Sequence, residues 1–148
     1  MAQVEFHTGV AEPVHFACRL LRKAYRQGAR VAVLAPADTL RTLDRELWTF
    51  EEREFVPHLR LAGAKPALLA RTPLWLLDDL AFGEPLPDGL PEVLVNLGSD
   101  ASLPEGYPAR LIEIVARDAD EADRARLRWR QYRDLGWSIV HHNATAPT

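Results

Sequence analysis

Only one cysteine, Cys18, occurs in the 148 residues, so no disulfide can form within the chain. That suits a reducing cytoplasm, which is the expected location. No run approaches the roughly 20 apolar residues that a membrane helix needs. The richest apolar cluster, PLWLLDDLAF, is cut by Pro73, Asp78 and Asp79. The opening MAQVEFHTG lacks the basic and long apolar regions of a signal peptide. An excess of positive charge is also missing. The formal net charge is -3, so gross electrostatics give no support for strong direct DNA binding.

Catalytic signatures are absent too. The first strand-to-helix turn, HTGVAEPVHF, has one glycine and neither GxGxxG nor GxxxxGK[ST], so it lacks the usual phosphate cradle. No serine lies in GxSxG. His7, His15 and His58 have no Cys or His partner at metal-ligand spacing. His141 and His142 are adjacent, and neighbours on a strand point to opposite faces. All five histidines are therefore expected to be surface or satisfied core residues. No catalytic residue, metal ligand or cofactor is expected. Cys18 reads as a small buried side chain.

What is present is an ordinary globular composition, 47% hydrophobic and 26% charged, in a length that fits one domain, 1–148, with a hydrophobic core. Val4 to His7 reads as a strand before a turn at Thr8 and Gly9. Pro13 to Gln27 has helical period, with Ala17, Leu20, Leu21, Ala24 and Tyr25 on one face. RVAVLA, residues 30 to 35, is a strand of the kind buried on both faces. Pro36 and Asp38 open a second helix whose inward stripe is Leu40, Leu43, Leu47 and Trp48. Ala67 to Ala70, Leu74 to Leu77, EVLVNL (92 to 97) and RLIEIV (110 to 115) read as strands or parts of strands, with a Pro/Gly-rich loop at 82 to 90. Asp118 caps a helix running to about Leu135, and WSIVH (137 to 141) is a last strand. Residues 143–148 read as a frayed tail. The order implies an α/β fold, a Rossmann-like three-layer sandwich around a mostly parallel sheet.

Two surfaces stand out. At about 100° per residue, Ala122, Arg126, Trp129, Arg130 and Arg133 share one sector of the last helix, away from the expected core contacts Ala125, Tyr132 and Leu135. The segment Arg124–Arg133 holds five arginines and no acid. Three readings of this face stay open: a solvated basic helix, a site for an acidic peptide with an apolar end, or a single-stranded nucleic-acid site with Trp129 stacking a base. The second surface is LDRELWTFEEREFVPH, residues 43 to 58. There Trp48, Phe50, Phe55 and Val56 either close the core or form an apolar patch rimmed by charge.

The runs LDRELWTFEEREFVPH, VEFHTG, RVAVLA and RARLRWRQYRDLGW together resemble the chi subunit family of DNA polymerase III. The likeness covers essentially the whole chain, most weakly at residues 60 to 91. It implies a non-catalytic replication adaptor without a cofactor. Such a protein pairs with the psi subunit, and through it with the clamp loader. It also binds the acidic C-terminal tail of single-stranded-DNA-binding protein, which ends in an aromatic residue with a free carboxylate. The matching tail-binding positions are Val115, Arg126, Trp129 and Arg130, with Arg133 available for a further contact. The matching psi-facing positions are Trp48 and Phe55. Trp129 stands where a tyrosine is more familiar, and Ala122 where a lysine can occur. The alternatives outside this family are a small α/β nucleotide binder or enzyme with an atypical loop, and a direct single-stranded-DNA binder.

Overall fold

A computed structural model of the chain describes residues 2–49, 57–60, 72–78, 90–101, 103 and 107–144. Its strands are β1 (Gln3–Val10), β2 (Val31–Leu34), β3 (His58–Arg60), β4 (Leu74–Leu77), β5 (Val93–Asn96), β6 (Arg110–Ala116) and β7 (Ser138–Asn143). They form one seven-stranded sheet in the order β3-β4-β2-β5-β6-β1-β7. Every pairing is parallel, so the expected "mostly parallel" sheet is parallel throughout its described strands. Parallel strands need crossovers, and covering both faces explains why β2, β4 and most of β6 are buried on every residue.

Alternation along the strands sorts the core into two layers. Val31 and Val33 of β2, with Ile112 and Ile114 of β6, meet Ala17, Cys18 and Leu21 of α1 (Pro13–Arg26) and Leu40, Leu43 and Leu47 of α2 (Ala37–Thr49). The intervening residues, Ala32, Leu34, Leu111 and Val115, face the other way with Val4 and Phe6. They pack against Ala125 and Tyr132 of α3 (Ala119–Asp134). Helices therefore lie on both faces, as the three-layer expectation requires. Burial of Cys18 pushes its thiol up to about 12, with Glu46 adding to the shift, which leaves it protonated and unreactive near neutrality.

Local chemistry sets the element ends. Asp118 caps α3 by accepting a hydrogen bond from the Glu121 N–H at 3.3 Å. Gly136, just past the helix, takes a positive φ of 79°, which ends α3 and turns the chain into β7. Strand β1 does not turn at Thr8 and Gly9 as expected. It continues to Val10 through a register shift after His7, accommodated by Gly9 at φ 68°.

Four further sequence expectations change. Trp48 is not inward: it is 55% exposed, past the last buried turn of α2. Leu135 is 60% exposed at the end of α3, and Arg128 takes the core-facing place in the preceding turns. Strand β3, the edge next to β4, was hidden in a charged and aromatic segment. The final strand reaches Asn143, and the Ala144 N–H still bonds to the Thr8 carbonyl at 2.8 Å, so any tail starts later than 143. The expected strand at Ala67 to Ala70 and most of the 82 to 90 loop lie outside the described residues. No helix among the described residues is long and apolar enough to cross a membrane.

Candidate functional site

Strands β6, β1 and β7 and helix α3 enclose a pocket of about 540 Å³. Its floor comes from residues that face α3 by alternation: Phe6 of β1 and Val115 of β6, with Ala122 and Ala125 of the helix. Trp129 forms one wall. It is partly buried in the α3-side core, with its ring 4.8 Å from Phe6 and edge-on to His141 at 5.7 Å. The bland and the functional readings of this tryptophan thus both describe it, since one side packs inward and the other lines the cavity. Thr8 Oγ1 and His141 Nε2, also in the lining, lie 2.6 Å apart.

All five residues singled out on this face, Val115, Arg126, Trp129, Arg130 and Arg133, line the one cavity. Arg117 joins them, held at the end of β6 by its N–H bond to the Val10 carbonyl at 3.1 Å. Sequence reasoning missed Arg117 as a site residue. The available signal was its place immediately beyond the carboxyl end of a parallel strand, where ligands of such sheets bind. The lining thus includes four arginines and, among the described residues, no acidic residue. Arg126 is engaged by Asp123 at 2.6 Å, an exposed pair one turn up the helix. Arg124 does not serve the pocket: it pairs with Asp100 at 2.9 Å and with Glu121.

The helix is fixed to the sheet by a buried polar network that sequence reading did not foresee. Glu113 of β6 is fully buried. Its carboxylate accepts hydrogen bonds from Tyr132 Oη at 2.6 Å, Asn96 Nδ2 at 3.0 Å and Arg128 Nε at 3.2 Å. Burial pushes the Glu113 carboxyl above the usual range, while Arg128, Tyr132 and Asn96 pull it back. Arg128 Nη1 also reaches Asp100 at 2.8 Å. Arg128 is next to Trp129 in sequence, so this anchor sets the rotation of α3 and hence which side chains face the pocket.

A second cavity of about 250 Å³ opens at the carboxyl ends of the strands near Pro13, Thr39, Gly98, Asp118 and Glu121. This is where a doubly wound sheet would hold a nucleotide. Among the described residues its lining offers two carboxylates and no basic side chain, the reverse of what a phosphate requires.

Of the psi-facing pair, Trp48 is exposed and its ring lies 4.8 Å from that of His58. Phe55 lies outside the described residues. His58 is itself buried and bonded to Asp44 at 2.9 Å, a satisfied core histidine as expected. His141 and His142 do diverge to opposite faces. The expectation that His7 lacks a histidine partner is corrected: parallel register sets His7 beside His142, with rings 4.9 Å apart and nearly parallel.

Comparison with known proteins matches residues 1–140 to the family described as DNA polymerase III chi subunit, HolC. The chain is also 32% identical over 149 aligned positions to DNA polymerase III subunit chi of Pseudomonas aeruginosa strain PAO1, covering 96% of each protein. With a family match over nearly its full length and a relative of the same size, the chain belongs to the DNA polymerase III chi subunit family.

Proposed function

We propose that the protein is a non-catalytic adaptor of the replisome whose arginine-lined pocket holds the acidic C-terminal tail of single-stranded-DNA-binding protein. The observation that carries this reading is the lining itself: four arginines and, among the described residues, no acidic residue, around an apolar floor walled by an aromatic ring. Guanidinium groups bind carboxylates bidentately. Arg130 and Arg133 suit the terminal carboxylate and neighbouring aspartates, and Arg117 approaches from the sheet side. Phe6, Val115 and Trp129 suit an aromatic end residue, where burial of a ring supplies most of the contact energy. Through Trp48 and Phe55 the protein would join psi and hence the clamp loader. That half of the reading is supported by family membership and by the exposure of Trp48.

The test is fluorescence anisotropy with a labelled acidic peptide ending in phenylalanine. Micromolar binding that weakens with salt is expected, because exposed charge pairs are screened. Amidating the peptide's terminal carboxylate, or Arg130→Ala, lowers affinity at least tenfold. Equal affinity for the acid and the amide would show that the arginines do not read the chain end. Tighter binding of a single-stranded oligonucleotide than of the peptide would favour the nucleic-acid reading instead.

A further inference from the structure

We propose that Glu5, His7 and His142 form a binding site for one zinc ion on the sheet face opposite the arginine pocket. The inference is independent of the peptide reading. One ligand atom from each of the three residues lies within 4.8 Å of the other two. They converge because β1 and β7 run parallel in register. Glu5 pairs with Val140 and His7 with His142, so residues two apart on β1 and the neighbour on β7 share one face. Two imidazoles and a carboxylate are a donor set for zinc with a fourth position left for water. The imidazoles disfavour magnesium and calcium, which take oxygen ligands.

Two further observations point to a ligand here. The His7 Nε2 atom is buried without a hydrogen-bond partner, and the nearest Glu5 oxygen, Oε2, is 3.6 Å away. That separation is beyond normal hydrogen-bond distance, and an ion between the two atoms would satisfy both. Second, the other Glu5 oxygen, Oε1, accepts a hydrogen bond from Arg110 at 2.9 Å. That leaves Oε2 to face the histidines while Arg110 orients the carboxylate, the outer support that metal-bound carboxylates commonly have. His142 and Val140 on the edge strand are exposed, so the ion has an entry path. The Phe16 ring, 5.2 Å from His7, closes the inner side.

The experiment uses the full chain, stripped with chelator and titrated with zinc chloride by calorimetry at pH 7.5. One ion per chain is expected. His142→Ala lowers zinc affinity at least tenfold, whereas His15→Ala, which alters an exposed histidine on α1, leaves it unchanged. Long-range 15N–1H spectra keep the test informative if a variant is unstable, since zinc shifts the ring nitrogens of His7 and His142 in the unaltered protein. Absence of binding, a loss of less than tenfold in His142→Ala, or ring shifts confined to other histidines would each overturn the proposal.

Discussion

Replacing Glu113 by alanine is the most direct test of how the pocket is held. The carboxylate is fully buried and accepts three hydrogen bonds, from Tyr132, Asn96 and Arg128. Removing it leaves the Arg128 guanidinium, whose side chain is 7% exposed, with Asp100 alone as its anionic partner. Breaking one side of a buried pair costs about 3–5 kcal/mol, because the remaining charge stays desolvated. Asp100 is half-exposed and compensates in part, which places the expected loss near ~3–4 kcal/mol, a large share of the ~5–15 kcal/mol that stabilises a typical domain. With a urea dependence of about 2 kcal/mol per molar, the unfolding midpoint followed by tryptophan fluorescence drops by roughly 1.5–2 M. The double variant Glu113→Leu with Arg128→Met removes both charges and recovers most of that loss. Peptide affinity falls in Glu113→Ala although Glu113 does not line the pocket, since α3 loses the contact that fixes its rotation. A midpoint shift under about 0.5 M, or a double variant as unstable as the two single losses added, would refute this account.

Asp123→Ala releases Arg126 from its exposed partner at 2.6 Å. Such pairs contribute only about 0–1 kcal/mol, so peptide affinity rises roughly twofold to fivefold, with folding stability nearly unchanged by thermal melt. Trp129→Ala removes both the contact with Phe6 and a pocket wall. It lowers stability by about 2 kcal/mol, less than a fully buried aromatic, and abolishes measurable peptide binding by anisotropy, whereas Trp129→Tyr retains binding within about fivefold. Acidification destabilises the metal-free protein through His7. Its pKa is lowered in the folded state by burial and by His142, with Arg110 adding to the shift and Glu5 opposing it. The unfolded chain therefore takes up more protons as pH falls below about 6.5. Stability is complete above that value and declines below it, by at most ~1.4 kcal/mol per pH unit for one group. In urea titrations at pH 7.5 and 5.5, His7→Gln shows a smaller difference than the unaltered chain; an equal difference would remove His7 from the explanation.

Much of the architecture was legible because local patterns carried it. RVAVLA and RLIEIV are continuous apolar runs that only a doubly covered sheet accommodates, and Asp118 with Gly136 bracketed the last helix. The arginine face was legible for the same reason: a period of 3.6 collects Arg126, Trp129, Arg130 and Arg133 whatever the rest of the chain does. Helical period alone failed where tertiary context decides. It placed Leu135 inward and gave Arg128 no place of its own among the five arginines, because nothing in the helix itself reveals a carboxylate waiting on the sheet. The sign was elsewhere, in Glu113 between Ile112 and Ile114, a charge in the middle of a buried strand that must find a partner. The meeting of His7 with His142 was out of reach, because it depends on which strands become neighbours and in what register.

The position of β1 has a consequence for how the protein is made. This strand precedes every other described strand along the chain, yet it lies between β6 and β7, pairing Gln3 with both Arg110 and Ser138. Its two flanks are therefore bare until β6 and β7 have been made, and such long-range pairings are slow to close. The arginine pocket needs Phe6 and Thr8 from one end of the chain and His141 and Asn143 from the other. It comes into being only after the last strand has docked. A chain that has not yet added β7, or has lost it, thus has no complete pocket.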